Sequence, residues 1–164
     1  MSGAVRYVIQ RTDPLEGQRM TLQWARWDDA SALVDLWCSA RDEIGLAPHV
    51  CNEPNRIQNL KWMEKHCLHK CVLIAKIDDA LIGFLMFDGT KTISYVVVSL
   101  LQRGKGVGPL LVREFLRSDN YQELKAEARN ERSRRMLERC GFIHEGDYDL
   151  TKKYPILVWR SDGG

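Results

Sequence analysis

Three glycines and two cations alternate in the run Leu101-Gln102-Arg103-Gly104-Lys105-Gly106-Val107-Gly108-Pro109-Leu110-Leu111, which separates a β-rich stretch from a segment with helical spacing. Glycine has no Cβ, so successive backbone N–H groups can converge on one point. A helix that starts there adds unpaired donors and the positive end of its dipole. The chemistry this spacing suits is anion binding, above all of phosphate. Two common phosphate loops are excluded by their spacing. Lys105 is followed by Gly106 rather than by a hydroxyl residue, and G-x-G-x-x-G would place its third glycine at Pro109.

The pattern that does fit is R-x-x-G-x-G, met by Arg103, Gly106 and Gly108 after the strand-like Ile93-Ser94-Tyr95-Val96-Val97-Val98. A second block, Asn130-Glu131-Arg132-Ser133 through Gly141-Phe142, reads N-x-x-S…G-F. On these two blocks the chain resembles the GNAT family of N-acetyltransferases, and from Asn130 to Gly146 it looks closest to the ribosomal-protein-alanine acetyltransferase branch. The resemblance implies acetyl-CoA as cosubstrate, with its pantetheine arm entering between two splayed parallel strands, Thr92–Val98 and Leu124–Ala128. It places the arm along Val96, Val97 and Val98, and the pyrophosphate on the amides of Arg103, Gly104, Lys105, Gly106, Val107 and Gly108. Asn130 and Ser133 would face the pantetheine.

The reaction so implied is direct attack of a primary amine on the thioester, in a complex of both substrates. An alkylammonium with a pKa near ~10 must first lose a proton, so a base is expected. The chain departs from the family pattern here. Lys125 stands where the ribosomal-protein branch has a glutamate, and Leu137 stands where the thiolate-protonating tyrosine is usual. The candidates that remain are Glu127, Tyr95 and His49, with Asp88 behind them. A domain that binds coenzyme A without turning it over is the rival reading. Glu43, Glu53, Glu145, Asp147 and Asp149, in two connections that the resemblance sets over the acceptor cleft, favour a cationic acceptor: a small molecule or a peptide or protein amine. A homodimer is the assembly that the resemblance allows.

These residues need a scaffold, and the chain is long enough for one. Its 164 residues, 45% hydrophobic and 28% charged with a net charge of +2, suit a single domain with one well-filled core. No apolar run approaches the ~20 residues of a membrane span. No basic stripe with interleaved aromatics points to nucleic acid. Five scattered cysteines suggest reduced thiols and a cytoplasmic location, and their spacing with the histidines matches no standard metal site.

Alternation from Arg19 to Trp27 predicts a strand, and Asp28-Asp29 an N-cap for a helix facing inward through Ala32, Leu33, Leu36, Trp37 and Ala40. A second helix carries Ile57, Leu60, Trp62 and Met63. A three-strand meander follows from Cys71 to Val98, then helix, strand, helix and two last strands. The expected fold is α/β, one mixed sheet of about six to seven strands with helices on both faces, over residues 19–164. Residues 1–18 are read as a leader whose Val5–Gln10 could pair at a sheet edge.

Overall fold

The computed structural model describes residues 7–10, 19–144 and 154–161. The strands are β1 (Tyr7–Gln10), β2 (Arg19–Trp24), β3 (Val72–Ile77), β4 (Ala80–Phe87), β5 (Thr92–Val98), β6 (Glu123–Glu127), β7 (Ile143–His144) and β8 (Ile156–Arg160). The helices are α1 (Ala30–Ser39), α2 (Arg56–Leu68), α3 (Val107–Arg117) and α4 (Glu131–Arg139). One sheet runs in the order β1-β2-β3-β4-β5-β6-β8-β7, and among the described residues only β5 and β6 pair in parallel. The expected α/β fold is therefore present, with one strand more than predicted. Tyr7–Gln10 pairs antiparallel with β2, so the segment read as a leader contributes an edge strand.

Helices cover both faces because the central strands are apolar on both sides, as the buried run Val72-Leu73-Ile74-Ala75 of β3 shows. Leu22, Leu73, Leu85, Ile93, Leu124 and Ala126 face α3 and α4, where Leu111, Phe115 and Leu137 close the core. Val72, Ile74, Phe84, Met86 and Val97 face α1 and α2, against Leu33, Val34, Trp37 and Met63. Gly83 lets α3 approach the sheet. A Cβ there would stand 3.0 Å from the Val97 carbonyl oxygen and 3.3 Å from a Val107 methyl.

Two expectations are corrected. Of the expected inward face of α1, Leu33, Trp37 and Ala40 are buried and Leu36 packs against them, with Ala30 and Val34 added, whereas Ala32 is exposed. Asp29 stands at the N-cap position of α1, as expected, but its side chain makes no capping hydrogen bond there. Its carboxylate takes the Arg26 N–H at 2.8 Å and Lys76 Nζ at 3.0 Å. The five cysteines are not all thiols either. Cys38 and Cys51 form a disulfide, because the end of α1 and the turn Pro48–Cys51 fold back side by side with Cα atoms 5.7 Å apart. Cys67, Cys71 and Cys140 remain free.

Candidate functional site

The site begins at a fork in the sheet. β5 and β6 pair only through Thr92–Lys125 and Ile93–Ala126. On its other side β5 pairs Tyr95 with Met86 and Ile93 with Phe87, so Ser94 is bulged where the parallel pairing stops. Beyond it the strands separate. The Val98 carbonyl accepts Arg103 Nε at 3.1 Å rather than a strand N–H. Residues two apart share a strand edge, so the N–H and C=O of Val96 lie on the same open edge as those of Val98.

This edge leads into the glycine loop. Gln102 N–H closes on Ser99 C=O at 2.9 Å and Arg103 N–H on Leu100 C=O at 3.4 Å, and helical bonding resumes with Leu110 N–H to Gly106 C=O at 3.2 Å. Between them Gly104 (φ +76°) and Gly106 (φ +83°) adopt left-handed conformations that non-glycine residues rarely hold. Gly106 is the N-cap of α3 and has no side chain to consume its first-turn donors. A Cβ on Gly104 would meet nothing within 4 Å, so the space beside these amides is open. The loop fits a diphosphate.

At the crotch of the fork lies Arg129, which sequence reasoning did not single out. Its Nε donates to the Ser94 carbonyl at 3.0 Å, Nη1 to the Ile44 carbonyl at 3.1 Å, and Nη2 to Glu127 Oε2. The guanidinium lies 4.2 Å from the centre of the Tyr95 ring and 5.1 Å from that of Tyr154. One residue thus joins β5, the end of β6, the α1–α2 connection and the approach to β8. It also brings the predicted pair Glu127 and Tyr95 to one place.

Tyr95 stands with its ring edge toward Trp37, centroids 5.9 Å apart. Burial pushes its hydroxyl above the usual 10.0, which the Arg129 cation partly opposes. His49 is elsewhere. It is exposed on the turn Pro48–Cys51 with its carbonyl held by Asn55, and among the described residues no contact joins it to Glu127, Tyr95 or Arg129. Asp88 is structural. One of its oxygens accepts from the N–H groups of Thr90, Lys91 and Thr92, all within 3.0 Å.

Asn130 caps α4, accepting the Ser133 N–H at 2.8 Å, while its Nδ2 donates to the Glu43 carbonyl at 3.0 Å. Glu43 also binds Arg103 Nη1 at 2.7 Å and lies 3.9 Å from Arg132. The acidic residues expected over the cleft are thus not all free charges, since Glu43 is offset by two arginines. Glu145, Asp147 and Asp149 lie outside the described residues. No group of three or more metal-ligating side chains occurs among the described residues.

Residues 23–142 match the model of the GNAT acetyltransferase family. No curated protein sequence matches the chain. Among solved structures, the PaiA N-acetyltransferase of Thermoplasma acidophilum, in complex with coenzyme A, aligns with TM-score 0.68 at 14% identity over 87% of this chain and 99% of its own. YncA of Salmonella typhimurium, with its cofactor acetyl-CoA, aligns at 0.62 and 21% identity over 88% and 95%. YjaB of Escherichia coli, in its apo form, aligns at 0.58 and 21% identity over 88% and 99%. At these identities the likeness is one of fold, and the family assignment rests on the matched residues 23–142: the chain belongs to the GNAT acetyltransferase family.

Proposed function

We propose that this chain transfers the acetyl group of acetyl-CoA to a primary amine, by direct attack within a complex of both substrates. The observation that supports it most is the continuity of the fork with the loop. The open edge of Val96 and Val98 runs into the amides of Gly104 to Gly108 at the start of α3, so one extended molecule with a diphosphate at its end can follow both. Bound there, acetyl-CoA supplies an acetyl group activated as a thioester. The arm would lie along Val96, Val97 and Val98, with Arg103 and Lys105 near the diphosphate. A main-chain N–H near Val98 would hold the negative charge that develops on the thioester oxygen.

In this reading Glu127 and Tyr95, both beside Arg129, carry the two proton transfers. Arg129 engages Oε2 of Glu127, and the carboxylate side chain is 22% exposed, so Oε1 can meet an incoming ammonium. Tyr95, held protonated by burial, can give its proton to the departing thiolate. Asn130 and Ser133 act through the cap they form: they fix the start of α4 beside the fork. The acceptor class follows from the carboxylate at the crotch, which favours a cationic amine, either a small molecule or a peptide or protein amine. The ribosomal-protein-alanine branch remains the protein-substrate version of this reading.

The test is release of free thiol from acetyl-CoA with a panel of polyamines, aminoglycosides and basic peptides. Acceptor-dependent release that disappears in Gly106→Trp supports the enzyme and names its substrate class. Tight coenzyme binding with no release for any acceptor overturns catalysis and leaves a coenzyme-binding module.

A further inference from the structure

The disulfide closes the loop from Cys38 to Cys51, and inside that loop lies the strap Glu43-Ile44-Gly45, which meets the site at every residue. The Glu43 side chain holds Arg103 and its carbonyl takes Asn130 Nδ2. Ile44 C=O takes Arg129 Nη1, and Gly45 C=O takes the Tyr154 hydroxyl at 3.4 Å. Arg103 in turn covers the Val98 carbonyl. The docked strap therefore holds, through Glu43, the cation that covers one carbonyl of the edge a coenzyme arm would use.

Both sulfurs are within reach of a small reagent. Cys38 and Cys51 are only half-buried, and they line a cleft of about 270 Å³ together with Asp35, Arg41, Glu53 and Arg56. Arg56 is paired with Asp35 at 2.8 Å, which leaves the exposed Arg41, whose Nη1 donates to the Cys38 carbonyl at 3.3 Å, and the exposed Glu53; one cation and one anion beside a sulfur pair suit a small zwitterionic thiol. The other cysteines have no such setting. Burial pushes the Cys67 thiol up to about 12 and raises those of Cys71 and Cys140, so little reactive thiolate forms there. The Cα separation of 5.7 Å lies within the roughly 4.4–6.8 Å that a disulfide spans, so the folded chain can gain or lose this bond without moving α1.

We propose that Cys38 and Cys51 form a thiol–disulfide exchange site for small zwitterionic thiols, and that the bond keeps the strap docked on Arg103 at the coenzyme edge. A small thiolate attacks one sulfur, and the S–S electron pair leaves on the other cysteine, which takes up a proton. A second small thiolate then attacks the small-thiol sulfur of the mixed disulfide. The protein gains two thiols as two small thiols become one small disulfide. Reduction lengthens the freedom of the loop and lets Glu43 leave Arg103, so the reduced form binds coenzyme more tightly. The link to coenzyme rests on the proposed function.

The test equilibrates the full chain in glutathione and glutathione disulfide, traps thiols by alkylation and maps them by mass spectrometry. Binding is read by calorimetry with desulfo-coenzyme A, which has no thiol to exchange. Expected are alkylation switching at Cys38 and Cys51 alone, and binding about fivefold or more tighter to the reduced protein. The Cys38→Ser/Cys51→Ser variant should bind like the reduced form in both buffers. The proposal is overturned if the two cysteines do not change state together, if both states bind equally, or if the double variant still responds to the buffer. Absence of turnover with binding intact would sink the catalytic reading alone, whereas failure of desulfo-coenzyme A to bind either state would overturn both.

Discussion

Glu127 and Tyr95 share Arg129 as a neighbour, yet their roles separate experimentally. Glu127→Gln keeps the shape and a hydrogen bond to Arg129 but cannot accept a proton, so kcat/KM should fall by about 100-fold with coenzyme affinity unchanged in calorimetry. Tyr95→Phe keeps the ring under Arg129 and removes only the hydroxyl, so kcat should fall about tenfold while KM for acetyl-CoA stays put. Asp88 gives a prediction of a different kind. Burial by itself would raise its pKa, but hydrogen bonds from Thr92, Thr90 and Lys91 outweigh this and hold it below the ordinary 3.8. A depressed folded pKa contributes stability above the unfolded value, and that stability is lost as pH falls through the folded one. Asp88→Asn should therefore cost about 1 kcal/mol in urea unfolding at pH 7, with the difference closing as the pH falls below the ordinary 3.8. A difference that stays constant below that pH would show that charge has no part in the turn.

Elements decide where these residues stand, and Asn130 shows how one side chain can serve two of them. Asp and Asn cap helices about equally well, so Asn130→Asp should keep the stability of α4 while losing the Nδ2 donor to the strap. Asn130→Ala should lose both and cost about 1 kcal/mol. Hydrogen exchange separates the two: the amides of Glu43 and Ile44 should exchange faster in both variants, those of α4 only in the alanine one. What the sequence could show is likewise set by element. The glycine loop and the succession of strands and helices are legible because spacing and periodicity within each segment set them, whereas the parallel pair comes only with the family resemblance. Arg129 is not legible, since its partners Ser94, Glu127 and Ile44 come from two strands and the α1–α2 connection, and nothing in Ala128-Arg129-Asn130 announces them. Cys38 and Cys51 are hidden for a like reason, because only the return of the connection after α1 brings them together. Tyr7–Gln10 lacked a strong pattern and needed the free edge of β2 to become a strand.

Taken whole, the sheet is two half-sheets joined by a short seam. β1 to β5 and β6, β8, β7 share one strand pair of two paired residues each, one extra hydrogen bond from Lys125 N–H to Lys91 C=O at 2.7 Å, the packing of α3 on α4, and Arg129. A ligand in the fork would lie against β5 on one side and the β6–α4 junction on the other, so its binding energy would join the halves. A ligand that binds only the folded chain at a hundred times its Kd adds about 2.7 kcal/mol. For a chain of this size each kcal/mol shifts Tm by about 2–4 °C, so saturating desulfo-coenzyme A should raise Tm by roughly 5–11 °C. The location of the effect tells more than its size. Bridging predicts slower hydrogen exchange at Val96 and Val98 on one side and at Ala128 to Ser133 on the other, in parallel with the glycine loop. Protection confined to Arg103–Leu111, with β6 and α4 exchanging as before, would mean that the diphosphate is gripped while the arm stays out of the fork. Catalysis at Glu127 would then have no support.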